Sequence, residues 1–168
     1  MRQALEPILK INNLQTHFFT KAGILKAVDG VSFEIAAGEI VGLVGESGSG
    51  KSITGFSVMG LVDAPGKIID GSINFKGKDL SALSNDQMQN IRGNRIAMIF
   101  QDPMMTLNPV LRIETQMIEA IQAHDGGVSR EDARIRSRDT LGLVGISSPD
   151  ERLRAYPHQF SGGMRQRV

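Results

Sequence analysis

Cysteine is absent from the 168 residues. That removes disulfides, thiolate zinc sites and iron–sulfur ligation within this chain, and it is compatible with a reducing cytoplasm. An excess of charge of one sign is lacking too. Nineteen Lys and Arg stand against 18 Asp and Glu, a formal net charge of +1. A balance that even gives no reason to expect nucleic acid or an acidic partner. The opening stretch MRQALEPILKINNLQ has no long apolar h-region, so no signal peptide is expected. No apolar run approaches the ~20 residues of a membrane span. Work at a membrane would therefore fall to a soluble subunit docked on something else. His17, His124 and His158 show no metal-ligand spacing and read as surface or satisfied core residues. No internal repeat or low-complexity tract occurs.

What is present suits one domain with a sizeable core, since hydrophobic residues make up 40% of the chain. Residues 8–19 read as an early strand with its exit, and Lys21-Ala22-Gly23 as a turn. Val31, Phe33 and Ile35 alternate, the pattern of a half-buried strand. Residues 40–44, IVGLV, are apolar on both faces and predict a buried parallel strand. Residues 51–61 predict a helix, and residues 73–75 a short strand. Ser84 or Asn85 is placed to cap a short helix running through Asn90. Residues 96–100 predict a second buried apolar strand. Residues 113–123 and 130–143 predict two amphipathic helices joined by Asp125-Gly126-Gly127. A strand-rich part thus fills roughly the first hundred residues, and a helical part follows.

One stretch carries chemistry by itself. Gly45-Glu46-Ser47-Gly48-Ser49-Gly50-Lys51-Ser52 fits G-x-x-x-x-G-K-[ST] in full, after an apolar run and before a helical pattern. The glycines let the backbone bend until successive N–H groups face one concavity. The helix that follows adds the positive end of its dipole. Lys51 can reach β- and γ-phosphates, and the Ser52 hydroxyl can ligate Mg²⁺. The bland alternative is an ordinary glycine-rich turn from strand to helix. The motif points to a nucleoside triphosphate without saying which enzyme. Asp63-Ala64-Pro65-Gly66 imitates the D-x-x-G element of GTPases. No asparagine here is followed by lysine, so the guanine-specifying N-K-x-D is missing and residues 63–66 read as a surface loop. Small-molecule kinases would leave the end of the chain unexplained.

Further landmarks follow in order. Gln101-Asp102-Pro103 closes the second apolar run. Thr106-Leu107-Asn108-Pro109 comes next, then the helical segment, then Tyr156-Pro157-His158-Gln159-Phe160-Ser161-Gly162-Gly163-Met164-Arg165-Gln166-Arg167. Phosphate loop, glutamine loop, helical segment and S-G-G signature in this order resemble the ATP-binding subunits of ABC transporters. The resemblance covers residues 8–168. The wording GLVGESGSGKS, IFQDPMMTLNP and YPHQFSGGMRQRV is similar to the oligopeptide/dipeptide importer branch, which also handles nickel and glutathione.

The resemblance implies an α/β P-loop NTPase fold with an antiparallel β subdomain and an inserted helical subdomain. Residues 1–102 would form the incomplete nucleotide-binding core, and residues 103–168 the helical subdomain ending in the signature. ATP and Mg²⁺ are the implied cofactors. Gly45, Glu46, Ser47, Gly48, Ser49, Gly50, Lys51 and Ser52 would hold the phosphates, and Ser52 and Gln101 would serve the Mg²⁺. Gln101 would also meet the attacking water, which an amide that both accepts and donates suits. Phe18, preferred over Phe19, would stack on adenine, though an apolar ring at a strand end is often plain core. Ser161, Gly162, Gly163 and Met164 would face the ATP of a second, identical or homologous ATP-binding subunit, with Ser161 capping a helix. Met164 stands where many relatives have glutamine, a feature of the branch. Two transmembrane permease subunits and, indirectly, an external solute-binding protein complete the implied assembly, peripheral on the cytoplasmic face of the membrane and without nucleic acid. Arg152, Arg154, Arg165 and Arg167 read as a solvated helical face or as salt-bridge partners.

Hydrolysis in that family needs a later apolar strand ending in Asp-Glu, the Walker B strand, and a switch histidine. Neither occurs within residues 1–168, so the chain reads as truncated before Walker B, able to bind ATP and not to hydrolyse it alone. Edges and apolar faces of residues 40–44 and 96–100 would then lie bare. Two other readings stay open. One is a non-enzymatic truncated product that at most binds nucleotide or a partner subunit. The other is a DNA-repair type of ABC ATPase, disfavoured because no sustained heptad and no cysteine separates the motifs.

Overall fold

The structure, a computed structural model, describes residues 6–100 and 106–168. Two compact units divide after Ile96.

The first unit is built on a four-stranded sheet. Its strands are β1 (Pro7–Thr20), β2 (Gly23–Ala36), β3 (Gly66–Phe75) and β4 (Lys78–Asp79), in the order β2-β1-β3-β4, all antiparallel. The expected turn at residues 21–23 joins β1 to β2, and Phe18 pairs across to Leu25 on one side and Gly66 on the other. Ile11, Leu14, Val28 and Ile73 are buried on this sheet. Against them pack Val58 of helix α1 (Lys51–Val58) and Met88 of helix α2 (Asn85–Gln89), with Leu80 and Ile91. Ser84 caps α2 with a reciprocal box: its hydroxyl accepts from Gln87 N–H at 3.3 Å, and the Gln87 side chain accepts from Ser84 N–H at 3.0 Å.

The pin between α1 and the sheet is polar. Thr16 and Ser57, both buried, bring their hydroxyl oxygens to 2.8 Å. Ser57 spends its one proton on the Ile53 carbonyl at 2.7 Å, so Thr16 is the donor between the two. This bond fixes the helix that carries Lys51.

Two expected strands do not form. Residues 40–44 join no strand, with Ile40 98% and Val44 90% exposed. Ile96 makes one isolated parallel bridge to Arg92, and residues 97–100 join no strand, leaving Ile99 95% exposed. The cause is the lack of partners. A doubly apolar run becomes a parallel strand only when neighbours pair with both of its edges and cover both faces. The sheet among the described residues is wholly antiparallel.

The second unit is helical: α3 (Ile113–Gln122), α4 (Arg130–Leu143), α5 (Pro149–Arg154), a 3₁₀ turn (Pro157–Gln159) and α6 (Gly162–Arg165). Ile113, Leu141, Ile146, Leu153 and Phe160 form its core. Ser129 starts α4 by accepting from Asp132 N–H at 3.0 Å. Gly145, at φ +73°, ends it: Ile146 N–H donates back to Leu141 O at 2.9 Å, and Gly145 N–H to Gly142 O at 3.0 Å.

Candidate functional site

The bend of the Gly45–Ser52 stretch rests on two glycines. Gly48 and Gly50 hold φ at +81° and +89°, a region that side chains disfavour. At Gly50 the demand is double, because a Cβ there would lie 2.2 Å from the Ala27 carbonyl oxygen of β2. Ser49 N–H turns back to Glu46 O at 3.2 Å. Gly50 then starts α1 without a side-chain cap, and the first turn of α1 holds no acidic residue. Among the described residues no side-chain cap and no acid in the first turn of α1 occupy the N–H groups and positive dipole end that open the helix.

Lys51 folds into the same concavity. Its ammonium donates to Gly45 O at 2.8 Å, Glu46 O at 2.6 Å and Ser49 Oγ at 3.2 Å. These take up its three protons and hold the cation in the mouth of the loop. Ser52 is exposed beside it, as are Glu46 and Ser47. A cavity of about 360 Å³ opens here. Its loop wall runs from Gly48 to Ile53, and Phe18, Leu25, Lys26 and Ala27 of the β1–β2 hairpin form the opposite side. Phe18 is half-buried and lines the cavity, whereas Phe19 is 45% exposed. Concave shape, backbone donors, the Lys51 and Lys26 cations and an apolar ring suit a phosphorylated molecule with a flat apolar part.

The signature stretch lies in the second unit. Ser161 caps α6, its hydroxyl accepting from Met164 N–H at 3.3 Å. Gly162 and Gly163 are exposed, keep ordinary φ values, and would meet nothing within 4 Å if they carried a Cβ. Among the described residues no contact demands glycine at either position. Met164 is half-buried and packs on the second core. Gln101 lies outside the described residues.

The arginines sort differently from the simple expectation. Arg167 makes no salt bridge among the described residues and is not a bare cation. It donates to Val144 O at 3.0 Å, Gly145 O at 2.8 Å and Gly163 O at 3.2 Å, tying the signature turn to the carbonyl end of α4. Arg152 sits over the Phe160 ring at 5.9 Å. The one Asp-Glu pair of the chain, Asp150-Glu151, opens α5, where Asp150 accepts from Arg134 at 2.9 Å. Sequence reasoning also missed the Thr16–Ser57 pin, since two polar residues 41 positions apart carry no local signal. Sequence reasoning did not identify Leu25, Lys26 and Ala27 as a cavity wall. Among the described residues no group of three or more His, Cys, Asp or Glu could hold a metal, and no helix is long and apolar enough to cross a membrane.

These features are those of a P-loop ATP-binding cassette, and comparison places the chain in its family. The ABC transporter family profile matches residues 28–168, so the chain belongs to that family. It is 50% identical over 165 residues to the oligopeptide transport ATP-binding protein AppD of Bacillus subtilis, covering 98% of this chain and 50% of AppD. It is 45% identical over 161 residues to the dipeptide transport ATP-binding protein DppD of Escherichia coli, covering 96% of this chain and 49% of DppD. The chain therefore spans about half the length of the curated relatives it matches. Among solved structures it resembles the ATP-binding cassette MJ0796 in a dimeric post-hydrolysis state bound to ADP and Pi. The TM-score is 0.80 and the identity 28%, covering 95% of this chain and 66% of that one. The fold is the α/β ABC ATP-binding type.

Proposed function

We propose that this chain is the N-terminal part of the ATP-binding subunit of an importer for peptides or related small solutes, and that its phosphate loop binds MgATP. The observation that carries the reading is the complete Gly45–Ser52 motif, bent by two left-handed glycines onto the uncapped start of α1 with the Lys51 ammonium in its mouth. The residues fit the cofactor. The free N–H groups and Lys51 would take the phosphates, and the Phe18 ring would lie against the adenine. Mg²⁺ would ride on the phosphates with the Ser52 hydroxyl and Gln101 as protein ligands. Bound Mg²⁺ supplies charge neutralisation of the phosphate oxygens.

The signature supports a partner. Among the described residues nothing lies within 4 Å of a Cβ built at Gly162 or Gly163, which leaves room there for close approach by another molecule. That molecule would be the ATP held by a second ATP-binding subunit, with Ser161, Gly162, Gly163 and the Met164 backbone at the contact. Two permease subunits, and indirectly a solute-binding protein, would complete a machine peripheral to the membrane. We further propose that residues 1–168 bind ATP without hydrolysing it. Asp150-Glu151, the only Asp-Glu pair, is occupied at the start of a helix rather than placed after an apolar strand.

Calorimetric titration of MgATP against the chain and its Lys51→Ala variant tests the reading. Binding that weakens at least tenfold in the variant supports it, and equal affinity sinks the role of Lys51. Phosphate release above background from the chain alone would overturn the proposal that it cannot hydrolyse.

A further inference from the structure

A second cavity, of about 290 Å³, lies in the first unit with a lining that shares no residue with the phosphate loop. Three cations stand on its walls: Lys76 from the β3–β4 turn, Lys78 at the start of β4, and Arg95 from the turn beyond α2. The lining contains no carboxylate. Among the described residues none of the three cations lies within ion-pair distance of an acid. The neighbours are engaged elsewhere. Arg92 spends its guanidinium on Met59 O at 2.7 Å, Gly60 O at 2.6 Å and Asn85 Oδ1 at 2.9 Å. Asp79, adjacent to Lys78 in sequence, accepts from the Ser81 hydroxyl at 2.6 Å and Ser81 N–H at 3.0 Å. The Ser81 hydroxyl bond, foremost, keeps its carboxyl below the usual carboxylate range.

The frame that holds these cations is tight. Phe75 pairs with Lys78 across a two-residue turn whose residues, Lys76 and Gly77, both have positive φ, at +49° and +81°. Gly77 N–H is tied to the Asn74 side chain at 2.9 Å. On the facing wall, Arg95 N–H donates to Ile91 O at 2.8 Å. Asn90 and Asn94 add amides, and half-buried Phe75 gives an apolar surface. Like charges held together without a counterion repel, and an anion between them relieves that repulsion.

We propose that this cavity is an anion site for a phosphate group, either a phosphomonoester or the phosphodiester of a lipid headgroup. The planar fork of Arg95 suits two phosphate oxygens at once, and Lys76 and Lys78 add point charges. The site is independent of nucleotide binding at Lys51.

Nuclear magnetic resonance on the isotopically labelled chain tests it, with inorganic phosphate as probe and chloride at matched ionic strength as control. Saturable shifts are expected at the Gly77 and Arg95 amides. They should persist in Lys51→Ala, which removes the cation of the phosphate loop, and weaken roughly tenfold or more in the exposed double variant Lys78→Gln/Arg95→Gln. Shifts that never saturate, that chloride reproduces, or that survive the double variant overturn the proposal. Co-sedimentation with phosphatidylglycerol–phosphatidylcholine vesicles then separates the two sources, given saturable phosphate shifts. Retention lost in the double variant assigns the site to a lipid headgroup, and equal retention assigns it to soluble phosphate.

Discussion

Gly48 and Gly50 look alike in sequence and in backbone angle, and the structure says they will not tolerate alanine equally. Both sit near φ +85°, so either substitution meets left-handed strain of about 1–2 kcal/mol. At Gly48 nothing lies within 4 Å of the new methyl. At Gly50 the methyl would stand 2.2 Å from Ala27 O and 3.5 Å from Val28 Cγ2. The first of these is backbone in a paired strand and cannot swing aside. Relief requires the start of α1 to move off β2 by about 1 Å, a shift of the kind that costs roughly 1–3 kcal/mol in overpacked sites. Gly48→Ala should therefore cost about 1–2 kcal/mol, and Gly50→Ala roughly 2–5 kcal/mol, by adding the two contributions. Urea denaturation with unchanged slope measures both. Gly50→Ala should also lose MgATP affinity more steeply, because the displaced helix start carries the phosphate-facing N–H groups. If the two variants are equally stable, the close approach to Ala27 is not what holds residue 50 as glycine, and the reasoning fails.

Three other expectations follow from single contacts. Removing Ser57 alone strands the buried Thr16 proton, so Ser57→Ala should cost about 1–3 kcal/mol. The double change Thr16→Val/Ser57→Ala should cost less than the sum of the singles in a double-mutant cycle. Arg167→Ala removes three bonds to carbonyls and should destabilise the helical unit by about 1 kcal/mol, the value being small because the side chain is exposed. Faster amide exchange at Ile146, whose N–H closes α4, would report it. Asp79 has a depressed pKa when folded, so its contribution is fully present above the unfolded carboxylate value and is lost as pH falls through the lower folded value, below about pH 4. Asp79→Asn should flatten the acid limb of a thermal-stability profile, and an unchanged limb would refute the assignment.

Much of this molecule was readable before any coordinate. The phosphate motif was legible because its residue types are dictated by local backbone geometry, and the loop keeps that geometry even without a completed parallel sheet. Helices α3 and α4 appeared within a residue of their expected bounds, since periodicity and the Ser129 cap are local. Of the two candidates Ser84 and Asn85, Ser84 is the cap of α2, and Ser161 caps α6 as the family resemblance implied. The strand assignments for residues 40–44 and 96–100 failed for the opposite reason, because strand formation depends on partners far along the chain.

By itself, then, the sequence determined what a few consecutive residues can settle: turns that demand glycine, caps, amphipathic faces, and the order of motifs that places the chain among ABC transporter ATPases. Only the tertiary structure decided that Phe18, the residue preferred over Phe19, lines the cavity, that Gly50 must be glycine because β2 passes so close, and that Arg167 ties the signature turn to the end of α4. It also decided that Lys76, Lys78 and Arg95 line one hollow without a carboxylate in its lining. The physical reason is range. Backbone torsion and helix periodicity act over a few residues and leave a trace in the sequence. Close approach, hydrogen-bond satisfaction and charge clustering join residues tens of positions apart, and they exist only once the chain has folded.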